Sequence, residues 1–107
     1  MKVIVAGTDD HDIASAISAE GHAVEGVDVA NRPALETAGV HETAVFVLTE
    51  VRQATSIPVA KDLNEELYVV VYDDGSLPDF ARRQADLAVD PDLLGPGPVA
   101  EELTEQA

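Results

Sequence analysis

Residues Met1 to Asp12 read MKVIVAGTDDHD. Lys2 to Ala6 has the pattern of a short buried strand, and Gly7 turns the chain at its end. An apolar helical stripe then opens at Ile13. In α/β proteins such a strand–turn–helix corner is where a phosphate or nucleotide meets a helix N-terminus. Here the turn holds Asp9, Asp10 and Asp12 where glycines would be expected.

Working outward, Ile13, Ala14, Ile17 and Ser18 share one helical face, and Gly21 stops that helix. Ala23 to Val27 reads as a second strand, with Asp28 at its carboxyl end. Asn31-Arg32-Pro33 starts a short helix, over about Pro33 to Thr37, that ends at Gly39. Ala44 to Leu48 is an unbroken apolar run of the kind a central parallel strand shows. Val51 to Asn64 is helical in pattern, with Pro58 expected to kink or split it. Leu67 to Tyr72 is a fourth strand, and Asp73-Asp74-Gly75 closes it as a turn. Ser76 is placed to cap a helix over about Leu77 to Gln84 that turns Phe80 inward. Leu87 to Val89 makes a fifth strand, followed by Asp90-Pro91. Gly95-Pro96-Gly97-Pro98 reads as a rigid turn before a terminal helix, Val99 to Glu105.

Strands alternating with helices at this spacing predict an α/β fold. The expected domain is single, residues 1–107 with a core over about 1–94. It is three-layered and Rossmann-like or flavodoxin-like, with a five-stranded parallel sheet in the order 2-1-3-4-5.

Composition narrows the partners. Twenty-one Asp and Glu against six Lys and Arg give a formal net charge of −15. Such a chain repels itself in dilute buffer, and at molar salt the Debye length falls to about 3 Å and removes the repulsion. The acidic, lysine-poor, Ala- and Val-rich composition resembles that of a protein from a salt-in halophile, the plainer alternative being an ordinary acidic protein. Nucleic acid and anionic membrane fit this surface poorly, while cations and basic protein surfaces are compatible with it; a protein partner or a homodimer stays open. With no cysteine, thiolate metal sites and cysteine nucleophiles are excluded. No signal peptide precedes the first strand and no apolar run is long enough to span a bilayer, so the expected location is cytoplasmic, without membrane insertion.

The segments KVIVAG, EGHAVEGVDV, LETAGVHETAVFVLTE, AKDLNEELYVVVY and ADLAVDPDLLGPGPVAEEL, in that order, resemble the nucleotide-binding N-terminal domain of potassium-channel and Trk-transporter regulators (TrkA-N, or RCK). The resemblance covers nearly the whole chain and implies a Rossmann-like NAD-binding domain. It places Gly7 at the first glycine of the fingerprint and Asp28 at the acid that hydrogen-bonds a nucleotide ribose. Asp9 and Asp12 stand at the second and third glycine positions, and Thr55 stands where the family has Asn. The family's third strand has no room between Ala30 and Leu35, and dropping it from a 3-2-1-4-5-6 sheet leaves the order above. The chain also resembles short haloarchaeal proteins labelled as CTP-synthetase-related. Such a synthetase needs a phosphate-gripping loop and a cysteine amidotransferase centre, which this chain lacks. That resemblance implies at most an assembly partner of a nucleotide-biosynthesis enzyme.

The candidate nucleotide site is therefore Gly7, Thr8, Asp9, Asp28 and Thr49, for NAD or another adenine nucleotide. The candidate cation site, for a Mg or K ion, is Asp9, Asp10 and Asp12. An aspartate at the second glycine position fills the space the pyrophosphate needs and repels it. Two like charges about 5 Å apart cost roughly 3 kcal/mol at an effective dielectric near 20, against about 1 kcal/mol from the helix dipole. The simplest use of Asp9 or Asp10 is as an N-cap, its carboxylate standing in for the phosphate. His11, His22 and His41 are far apart in sequence and lack catalytic partners, with His22 expected to pack where the second strand begins. A phosphoreceiver needs an Asp after the third strand and a Lys after the fifth, where this chain has Leu48-Thr49-Glu50 and Asp90-Pro91. The leading expectation is a non-catalytic regulatory or interaction domain with nucleotide binding weak or lost. The alternative is a sensor binding NAD, ATP or AMP through Gly7 and Asp28, with a cation masking the aspartates.

Overall fold

Five short strands, β1 (Lys2–Ala6), β2 (Ala23–Val27), β3 (Val45–Leu48), β4 (Tyr68–Tyr72) and β5 (Leu87–Val89), pair in parallel in the computed structural model, which describes residues 1–106. Their order is β2-β1-β3-β4-β5, the one expected from the alternation of elements. The helices are α1 (Ile13–Ala19), α2 (Arg32–Thr37), α3 (Ser56–Leu63), α4 (Asp79–Arg82) and α5 (Pro96–Gln106). Short 3₁₀ turns at Val40–Glu42 and Val51–Gln53 precede β3 and α3.

The register explains why the three central strands are apolar throughout. Val3, Val45 and Tyr68 stand side by side, as do Ile4, Phe46 and Val69 one residue further on. Successive residues point to opposite faces, so both faces of the sheet are lined. Val5, Val47 and Tyr72 pack with Ile13 and Ile17 of α1 and Val99 and Leu103 of α5. Ile4, Phe46 and Val71 pack on the other face with Leu35 of α2, Ile57 of α3 and Ala81 of α4. The result is a three-layer α/β fold. The edge strand β2 is different, with Ala23, Glu25 and Gly26 all exposed.

The Val51–Asn64 segment is split, as its proline implied; the break falls ahead of Pro58, which lies in the first turn of α3, where its missing N–H has no intrahelical role. Other features differ from the sequence reading. Gly95-Pro96-Gly97-Pro98 is not a turn ahead of the last helix. Pro96 is the first residue of α5 and Pro98 lies in its first turn, because proline already has helical φ. The expected cap at Ser76 and the inward Phe80 are both corrected. The N-cap is Pro78, and α4 is a single turn. Leu77 and Ala81, four positions apart, face the core, which leaves Phe80 52% exposed. β3 and β4 each begin one residue later than expected.

Candidate functional site

Gly7 leaves β1 with φ 103°, and its N–H donates to Val27 O at 2.8 Å. A Cβ at this position would sit 2.6 Å from Thr49 Oγ1 and 3.0 Å from Glu50 Cγ. Both the dihedral and the crowding demand glycine. What crowds it is the end of β3. Thr49 donates to Ala6 O from its backbone N–H at 2.9 Å and from its hydroxyl at 3.0 Å. Glu50 Oε1 then accepts the Thr8 backbone N–H at 2.5 Å and the Thr8 hydroxyl at 2.7 Å. Its other oxygen accepts Arg52 Nε. The Thr8 hydroxyl, the Thr8 amide and the Arg52 guanidinium, in that order, pull the Glu50 carboxyl down to about 2 against the opposing effect of burial.

The start of α1 is satisfied in the same way. Asp9 Oδ1 accepts the Ile13 N–H at 2.8 Å, and Asp9 Oδ2 accepts the Ala14 N–H at 3.1 Å. These are two of the donors that any helix N-terminus leaves free. Asp9 thus serves as the cap expected of Asp9 or Asp10, but it reaches forward over the turn to do so. The residue directly preceding the helix is Asp12, held left-handed at φ 56° and ψ 37° with no side-chain cap bond. Aspartate tolerates that conformation better than most residues.

The same device recurs along the carboxyl ends of the strands. Asp73 Oδ2 accepts the Val51 N–H at 2.8 Å, tying the ends of β3 and β4 together, while Asp73 Oδ1 accepts Asp74 N–H. Asp90 Oδ1 accepts the Asp92 N–H at 2.8 Å after β5. At the end of β2 it is Gln53 that fastens the loop, donating to Asp28 O at 2.9 Å and accepting the Ala30 N–H at 3.0 Å. Nothing in the sequence around Gln53 signals this bridge, because its partners lie more than twenty positions away.

An open groove of about 680 Å³ runs between the Gly7 turn, α1 and β2, and Gly7, Thr8, Asp9 and Asp28 line it. Four of the five candidate nucleotide-binding residues are thereby brought together. Thr49 does not line this groove; it faces an adjoining recess of about 50 Å³ that Thr8 and Asp9 also line, with Asp10, His11, Tyr72 and Asp73. Among the described residues no group of three or more Asp, Glu or His side chains is placed to hold a metal ion, so Asp9, Asp10 and Asp12 are not gathered into one ligand set. Tyr72 donates its hydroxyl to Leu94 O at 2.9 Å and meets the His11 ring edge-on at 5.9 Å. Burial first, and then the Asp9 charge, raise its phenol above the ordinary value. His22 sits where β2 begins, with Nδ1 3.4 Å from the N-terminal amine and Nε2 2.8 Å from Thr104 Oγ1 of α5. The groove at the opposite end of the sheet, about 620 Å³, has Lys61 and Asn64 on its wall, both already bonded. There Lys61 Nζ donates to Leu67 O at 2.6 Å, and Asn64 Nδ2 donates to Val40 O and Thr43 O at 3.0 Å. No helix among the described residues is long and apolar enough to cross a membrane.

Compared with known families, the chain matches the model of a family of unknown function, DUF7126, over residues 3–103, and it belongs to that family. No curated protein matches it. The family found is not TrkA-N or RCK, and the expectation of membership there is corrected. The five segments behind that resemblance span nearly the whole chain, and their apolar strands, glycine turn and acid after the second strand are what a parallel α/β sheet calls for on general grounds. The glycine fingerprint that would have been specific is the part the chain lacks.

Proposed function

We propose that this DUF7126 member is a non-catalytic regulatory or interaction domain whose strand–turn–helix corner is closed to phosphate, leaving nucleotide binding weak or lost. One observation carries the reading. The backbone donors that would receive a phosphate, Thr8 N–H on the turn and Ile13 and Ala14 N–H at the helix start, already bond the Glu50 and Asp9 carboxylates. An incoming phosphate must displace those carboxylates and then lie beside them. At about 5 Å each such pair costs roughly 3 kcal/mol, more than the helix dipole returns. The −15 charge favours work in concentrated salt, where cations and basic protein surfaces are the compatible partners. The test is titration of the chain with NAD(H), ATP and AMP at molar KCl, with and without Mg²⁺, followed by backbone amide shifts. No saturable shift is expected; saturable shifts confined to residues 7–13 and 28 refute the reading.

A second reading keeps the corner as a sensor of an adenine nucleotide held with a magnesium or potassium ion. The groove that gathers Gly7, Thr8, Asp9 and Asp28 supports it. Its signature in the same titration is saturation that depends on the cation.

A further inference from the structure

The β2 side of the sheet is open. Ala23 N–H donates to Met1 O at 3.1 Å and Gly7 N–H to Val27 O at 2.8 Å. A parallel ladder bonds alternate residues, so Ala23, Glu25 and Val27 face β1, while the N–H and C=O groups of Val24 and Gly26 point away from it. Gly26 is exposed, and what a glycine exposes is backbone.

Gly26 has no role inside the monomer. Its φ is not left-handed, and a Cβ added to it would meet nothing within 4 Å. A glycine within a strand weakens it and often marks the close approach of a ligand or another backbone. Gly26 also lies between two grooves, one on each face of β2. The groove towards α1 has small Ser15 and Ser18 on its wall and Asp28 at its end; the one towards α2, about 340 Å³, has Pro33, Ala34 and Glu25. Neither is lined by a lysine or arginine.

We infer that the β2 edge receives an extended strand from a basic partner protein, paired to Val24 and Gly26, successive lysine or arginine side chains entering the grooves on its two faces beside Asp28 and Glu25. This rests on the interaction-domain reading above and names its surface. Strand addition draws affinity from backbone hydrogen bonds and specificity from alternate side chains, and this edge offers both. A second copy is disfavoured because it would bring the acids of two chains of net charge −15 together. The other edge strand, β5, has three residues and turns only Ala88 outward.

The test adds a capped peptide of three consecutive lysines flanked by valines to the full chain in moderate salt, with hydrogen exchange read at each amide. The Val24 and Gly26 amides should exchange more slowly with the peptide bound. Gly26→Pro removes an outward N–H without touching the ladder to β1 and should weaken binding about tenfold. Should that variant not fold, the double variant Glu25→Lys, Asp28→Lys must also lose the peptide. Absence of protection at these two amides at millimolar peptide overturns the proposal, and so does equal protection by a glutamate–valine peptide. Protection of both amides by self-association, without peptide, assigns the edge to a second copy and overturns the basic partner. Nucleotide-induced shifts at Thr8, Ile13 and Ala14 count against the closed-corner reading alone, so the two failures are distinguishable.

Discussion

Replacing Glu50 by Gln keeps the size of the side chain and removes its charge, so it measures what the carboxylate contributes to holding the Gly7 turn against the end of β3. In the wild type the carboxyl lies at about 2 instead of 4.5, which in full amounts to about 3 kcal/mol of preference for the charged form. Glu50 is 13% exposed and its partner Arg52 is 80% exposed, and solvent screening at this rim leaves about 1–2 kcal/mol. For a domain of this size that is a drop in Tm of about 4–9 °C. A carboxyl whose pKa is lower in the folded state than in the unfolded one stabilises fully above the unfolded value, and that contribution disappears as pH falls from 4.5 towards 2. Thermal melts of both proteins in molar KCl should therefore differ at neutral pH and converge as the solution is acidified through that window. The Thr8 hydrogen bonds outweigh the Arg52 attraction as causes of the shift, so the difference should survive the salt. Equal Tm at neutral pH, or a gap that does not narrow below pH 4.5, would refute the clamp.

Gly7→Ala should destabilise by about 2–3 kcal/mol in chemical denaturation, since a side chain there meets a φ of 103° and a Thr49 hydroxyl at 2.6 Å. A loss under 0.5 kcal/mol, the scale of a neutral surface change, would show that the turn relaxes freely. Asp9→Ala should cost about 1 kcal/mol through the lost cap. It should also raise affinity for inorganic phosphate at the freed Ile13 and Ala14 amides, read by amide shifts; unchanged shifts would mean that Asp9 is not what closes the corner. Phe80→Ala should change stability by less than about 0.5 kcal/mol. Leu35→Ala, at a fully buried position, should cost about 2–5 kcal/mol, and a reversed ranking in urea melts would contradict the orientation of α4. Lowering KCl from molar towards zero should reduce Tm, because screening lengths grow from about 3 Å to about 30 Å around a net charge of −15; a flat Tm across that range would remove the argument for a high-salt protein.

Local chemistry and hydrophobic pattern were enough for the sheet. The continuous apolar runs of β1, β3 and β4 can satisfy only strands covered on both faces, and the helical stripes between them impose parallel crossovers. Gly7, Gly21 and Gly39 all have positive φ, and each marks a turn already visible in the sequence. The role of Asp9 was half legible: a carboxylate beside a helix start suggests a cap, but which aspartate caps depends on how the turn coils. Pro96 and Phe80 misled for a related reason. A proline reads alike before and inside a first turn, and one inward-facing position on a one-turn helix is too little to reveal a period.

By itself, then, the sequence determined the strand order, the acidic composition and the aspartate-rich turn after β1, because each follows from the local pattern along the chain or from composition. Only the tertiary structure decided that Glu50 reaches back forty-two positions to Thr8, that Gln53 and Asp73 lace neighbouring strand ends together, and that Gly26 stands free at an open edge. Those facts depend on which strand ends become neighbours when the sheet closes. The aspartates announced in residues Met1 to Asp12 acquire their use only when Asp9 finds the start of α1 and the adjoining Thr8 finds Glu50.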